Sequence, residues 1–147
     1  MDIAKALAVI DRLCSGEFPA ERARTDVGTA GPGYAVAELE TSEDFWEDDG
    51  TRREETEEQY ACDRDGLGER LTRRWGPPQA FSLYSVFERT TRGEHVDEPW
   101  ASLSAHVPDV RLWRSGETGR WIALGVSQWD RELPFQLLAV VTDTDPP

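Results

Sequence analysis

The sequence predicts an α+β fold: an antiparallel sheet of four to five strands, ending in a C-terminal meander and covered on one face by two helices. Three observations predict it. First, two long apolar runs, Trp121–Val126 and Phe135–Val141, follow a shorter one at Val110–Arg114, with turn-like segments Ser115–Gly119 and Trp129–Pro134 between them. That spacing suits three strands joined by short connections. Second, two earlier stretches repeat their apolar residues at helical spacing. Third, these helices come before the main run of strands and do not alternate with them, which favours an antiparallel sheet over βαβ units.

Taken in order, residues 1–14 form the clearest helix. Asp2 is placed to cap it, Ile3, Leu7, Ile10 and Cys14 share one stripe, and Ser15-Gly16 ends it. Residues 18–33 hold Pro19, Pro32, Gly28, Gly31 and Gly33 and read as loop. A phosphate-cradling role for this Gly-rich stretch fails, because no Lys-Ser/Thr follows and no buried strand precedes it. Residues 34–40 alternate Tyr34, Val36 and Glu38 against Ala35, Ala37 and Leu39, a pattern that fits an edge strand or a short helix and favours the strand. Residues 54–75 form the second helix, with Tyr60, Leu67, Leu71 and Trp75 on one side. Gly66 and Gly68 each cost about 1 kcal/mol relative to Ala, which makes room for a break or kink near 65–68. Gly76-Pro77-Pro78 stops the helix. Period-two alternation over 80–89 and 101–107 predicts two more strands.

The meander strands lack clean apolar–polar alternation, so both faces should be covered at least in part. Gly125 leaves room there for a bulky neighbour. Two helices suffice for one face. The other must be covered by the middle of the chain, by a partner, or by a second copy.

At 147 residues the chain fits one domain, 1–147, able to bury roughly 68–70% of its unfolded surface. Its charge is unevenly spread. Residues 38–69 hold 14 acidic residues against three arginines, which accounts for 11 of the 13 net negative charges. Such a chain repels nucleic acid and anionic membranes and favours a basic protein partner. Of 16 basic residues only Lys5 is lysine, the mark of a GC-rich bacterial genome. Two unclustered cysteines, Cys14 and Cys62, suit a reducing cytoplasm. The short apolar run at 6–10 does not make a signal peptide, and no run approaches the ~18 apolar residues of a membrane span.

Motifs for chemistry are wanting. Cys14, Cys62, His95 and His106 have no metal-ligand spacing. Asp63-Arg-Asp65-Gly66 resembles part of a calcium loop, but Ala61 and Thr72 occupy the places that require acidic ligands. Gly125-Val-Ser127-Gln-Trp129 lacks the last glycine of a nucleophile elbow. His106 beside Asp109 reads as a surface pair, and His95, between Glu94 and Asp97, as solvated. No cofactor, metal or catalytic residue is expected.

Of the six tryptophans, Trp75, Trp113 and Trp121 fall at core positions, whereas Trp46, Trp100 and Trp129 fall in or beside loops. The leading functional expectation is a non-enzymatic cytoplasmic protein-interaction domain, such as an inhibitor, immunity or accessory protein. In composition the chain is similar to small bacterial immunity and adaptor proteins, which are often acidic α+β domains. Phe45 and Trp46 would anchor a basic partner, and Glu54, Glu55, Glu57 and Glu58 would steer it. The competing structural role of Phe45 and Trp46 is to fold back onto the core. An alternative is a small-molecule binding domain or enzyme, with a pocket against the sheet lined by Tyr84, Trp100 and Trp121. A third reading is a homodimer through the uncovered sheet face.

Overall fold

The computed structural model describes residues 1–147. In chain order its elements are α1 (Ile3–Ser15), β1 (Ala23–Arg24), β2 (Gly28–Gly31), β3 (Tyr34–Thr41), α2 (Thr51–Trp75), β4 (Gln79–Ser82), α3 (Tyr84–Thr91), α4 (Trp100–Ser104), β5 (Asp109–Arg114), β6 (Trp121–Ser127) and β7 (Gln136–Thr142). The α+β class and the antiparallel sheet are as the sequence predicts. The sheet is larger than expected, with seven strands in the order β1-β2-β3-β7-β6-β5-β4, every pair antiparallel.

The meander forms as its spacing requires. Leu124 of β6 lies opposite both Arg111 of β5 and Ala139 of β7. One face then collects Ile122, Leu124, Ala139, Val141 and Trp113, and α1 and α2 bury Ala6, Ile10, Leu67 and Leu71 against them. Asp2 caps α1 by accepting a hydrogen bond from the Lys5 N–H at 3.0 Å. At the other end, one guanidinium nitrogen of Arg120 donates to the carbonyls of Leu13, Cys14 and Gly16, at 3.1, 3.0 and 2.7 Å. These are carbonyls a helix end leaves without partners.

α2 runs unbroken for 25 residues, and the break for which its glycines make room does not occur. A packing contact offsets the helix cost of Gly68. The Trp113 indole lies so near that an added Cβ would be 3.4 Å from it, and its N–H donates to Thr72 Oγ1 at 3.3 Å. Tertiary contact here overrides propensity.

The opposite face is covered by the chain itself, and helices therefore lie on both faces. Leu83 at the cap of α3 and Val86 within it, Val96 in the following loop, Trp100 and Leu103 of α4, and Val107 pack on Val110, Leu112, Ala123, Leu138 and Val140. This corrects two expected strands. Residues 80–89 hold only the short β4 before turning into α3, and the expected strand at 101–107 begins with the helix α4. The buried positions, Leu83 with Val86 and Trp100 with Leu103 and Val107, are spaced by three and four. The same letters also alternate, and the helical period wins because it places these side chains on the sheet. Trp100, expected beside a loop, is fully buried, with its indole N–H donating to the Thr144 carbonyl at 3.2 Å. Gly125 admits valines: an added Cβ would lie 2.7 Å from Val107 and 3.1 Å from Val110.

Two further corrections concern the N-terminal third. β3 is interior, paired with β2 on one side and β7 on the other. The stretch read as loop contains β1 and β2. Gly28 belongs to a strand because a Cβ there would fall 2.2 Å from the Val36 carbonyl oxygen, a close backbone approach that only glycine permits. No helix is long and apolar enough to cross a membrane.

Candidate functional site

The acidic segment begins where β3 ends, in the loop at residues 42–50. Its two adjacent aromatics part company. Phe45 is 4% exposed and packs with Tyr60, Phe135 and Leu137 at the end of the sheet. Its ring meets Phe135 edge-on with centroids 5.7 Å apart, and its backbone N–H donates to the Glu132 carbonyl at 2.8 Å. Phe45 is therefore a plug that fixes the loop, and it has no surface to give a partner. Trp46, the next residue, points outward and is 64% exposed.

The loop leads directly into α2. The Asp48 carboxylate accepts the Arg52 and Arg53 backbone N–H groups at 3.2 and 2.9 Å, and Asp49 accepts that of Thr51 at 3.0 Å. Partial desolvation opposes ionisation of Asp48, but the hydrogen bonds outweigh it and hold its carboxyl below the usual range. Asp49 is likewise lowered, by the Thr51 backbone and side chain. Two acids of the cluster thus serve the helix start, where the dipole also favours negative charge.

Glu54, Glu55, Glu57 and Glu58, on the following turns, are all exposed. Glu57 pairs with Arg53 at 3.4 Å, and Glu43 in the loop pairs with Arg52 at 3.2 Å. Glu54, Glu55 and Glu58 have no cationic partner within 4 Å, nor do Asp44 and Glu47 beside Trp46. From Glu43 to Glu58 nine acids face two arginines, and both arginines are engaged. Arg53 also donates to the Gln128 side chain at 2.7 Å and lies over the Phe135 ring, 5.3 Å from its centroid. The structure thus leaves Trp46 and the α2 glutamates exposed, and withdraws Phe45 into the core.

The pocket expected from Tyr84, Trp100 and Trp121 does not form. Trp100 is enclosed in the core, Tyr84 stands 67% exposed on α3, and the Trp121 indole N–H donates to Asp145 at 2.9 Å near the chain end.

A polar cluster that the sequence did not signal lies at the end of β6. His106 Nδ1 is 2.6 Å from Ser127 Oγ, and its ring stacks on Trp129 with centroids 3.8 Å apart. Burial pushes the His106 imidazole down to about 4, so it is neutral at ordinary pH. Ser127 has no exposed surface, so the pair presents no nucleophile to a substrate. Asp109, the expected partner of His106, instead pairs with Arg111 at 3.3 Å and Arg64 at 3.7 Å. Nothing in the chain links positions 106 and 127 before the sheet is built, so only the fold could find them. No group of three or more His, Cys, Asp or Glu side chains is placed to hold a metal ion.

In comparisons with known proteins, no family model, no curated protein and no solved structure matches this chain.

Proposed function

We propose that the protein acts by binding, as an inhibitor, immunity or accessory protein whose acidic surface captures a basic protein partner. The observation that carries this reading is Trp46. A tryptophan is costly to expose, and this one is 64% exposed on a loop fixed from beneath by Phe45. Asp44 and Glu47 flank it in the loop, and Glu54, Glu55 and Glu58 follow on the first turns of α2, all without cationic partners. An exposed aromatic anchor in a segment of like charge lets a complementary partner be steered first and seated second. The fixed loop also lowers the ordering cost of association.

The test compares capture of basic proteins by the wild-type chain, by Trp46→Ala, and by a variant with Glu54, Glu55, Glu57 and Glu58 all changed to Gln. Trp46→Ala should weaken retention at every salt concentration, by about tenfold or more for a hot-spot residue. The Gln variant should lose retention mainly at low salt, because screening already weakens steering at high salt. All changed residues are exposed, so melting temperatures should stay near wild type. Equal retention by all three proteins would refute the proposal.

A further inference from the structure

We propose that the half of the sheet left open by α3 and α4 is a binding groove for a small aromatic carboxylate. The groove has a volume of about 320 Å³, at the lower end of ligand sites, which sets its occupant at a single ring with a short side chain. It lies on the face of the sheet opposite α2. Its floor is apolar, made by Val36 of β3, Leu103 of α4 and Leu138 of β7.

Three polar groups on the groove have no partner in the protein, and all three can donate. Tyr34 is 7% exposed as a residue, while its hydroxyl keeps an accessible edge and makes no hydrogen bond within the protein. Trp129 is 60% exposed, and its indole N–H is unbonded, whereas those of Trp100, Trp113 and Trp121 all donate to protein oxygens. Arg22 lines the groove and makes neither an ion pair nor a hydrogen bond. The one carboxylate on the rim, Glu98, is already engaged: its two oxygens accept from the Ser102 N–H at 3.1 Å and hydroxyl at 2.9 Å. Glu98 keeps its charge but is turned toward α4, so the groups left free to meet a ligand are three donors, one of them the Arg22 cation, and these call for an acceptor-rich anion.

Trp129 supplies the preference for a ring. One face of its indole rests on His106, which is itself held by Ser127. The loop beneath is tied by Gln128, whose side-chain amide donates to the Arg131 and Leu133 carbonyls at 3.1 and 3.0 Å. The indole is therefore held as a wall, with its free side available for offset stacking. A ligand ring lies against Trp129 over the apolar floor, and its carboxylate reaches Arg22 and Tyr34.

Phenylacetate titrated into the ¹⁵N-labelled full chain tests this, with benzylamine as the same ring bearing the opposite charge. Saturable shifts are expected at the Trp129 indole N–H and at the Val36 and Leu138 amides. Arg22→Gln and Tyr34→Phe should each weaken binding about tenfold, the loss of one good hydrogen bond or charge contact. Arg22 is exposed and Phe retains the ring of Tyr34, so both variants should keep the wild-type spectrum elsewhere. Benzylamine should bind at least about tenfold more weakly than phenylacetate. The assignment is overturned by an absence of saturable shifts at millimolar phenylacetate, by shifts scattered away from the groove, by equal binding of benzylamine, or by either variant binding as wild type. Trp46 and the α2 glutamates are untouched here, so this outcome is read separately from that of partner capture.

Discussion

Glu40 sits just past the irregularity in β3 pairing, where the register with β7 shifts between Glu38 and Glu40. One of its carboxylate oxygens is buried without a hydrogen-bond partner. Burial first, then the neighbouring Asp63, pushes its carboxyl up to about 7, with the Met1 amine at 3.8 Å pulling the other way. An acid whose folded pKa lies above its unfolded value binds more protons when folded, so its contribution to stability falls as pH rises from about 4.5 to about 7. His106 works in the opposite direction: with a folded pKa of about 4 against an ordinary 6.5, it makes stability rise with pH between those values. Comparison with Glu40→Gln isolates the first effect. The melting temperature of that variant should gain on wild type as pH rises through this window, and a constant difference would show that Glu40 does not titrate there. Residue identity alone does not reveal such a site. Phe45 and Trp46 make the same point: adjacent aromatics in one acidic loop, one a plug and one a free surface, separated only by which side the backbone turns toward the core.

At the scale of elements, α1 depends on a residue more than a hundred positions away. Arg120 ties down the last carbonyls of the helix, lies over the Phe18 ring at 4.1 Å, and pairs with Asp143 at 3.3 Å. Arg120→Ala should destabilise the protein by about 2 kcal/mol, because hydrogen bonds from a charged donor each contribute ~1.5–3 kcal/mol and the freed carbonyls regain water only in part. Urea unfolding measures this, and a change below ~0.5 kcal/mol would show that water replaces the guanidinium without loss. The elements legible in the sequence were those with one dominant period. α1, β5, β6 and β7 needed no tertiary information. α3 and α4 were misread because Leu83, Val86, Trp100, Leu103 and Val107 satisfy a helical period within stretches that also alternate. β2 was missed because its glycines, required by the close approach of β3, look the same in sequence as loop glycines. The acidic surface was legible from charge alone, whereas the groove beside Trp129 draws on Arg22 before β1, on β2, β3, β7 and α4, and on the β6–β7 connection, and has no linear signature.

Over the whole molecule, the sheet is held between two separately built layers. Trp100 is the largest side chain fully enclosed in the second layer, meeting Phe81 edge-on with centroids 6.1 Å apart. Trp100→Ala should cost about 3–5 kcal/mol, a third or more of the ~5–15 kcal/mol that domains of this size possess. Hydrogen exchange should show protection lost first in α3 and α4, while the β6 and β7 amides, sandwiched under α1 and α2, exchange last. Simultaneous loss everywhere would show that the two layers are one cooperative unit. The strand order has a consequence for how the chain folds. β7 comes last in sequence but lies at the centre, joining β3 to β6 with partners such as Tyr34 and Thr142. Until β7 docks, β1–β3 and β4–β6 are two small sheets, each with an unpaired apolar edge. The two halves must therefore wait, exposed to misassociation, for the strand that fuses them, and folding is slow for a domain of this size.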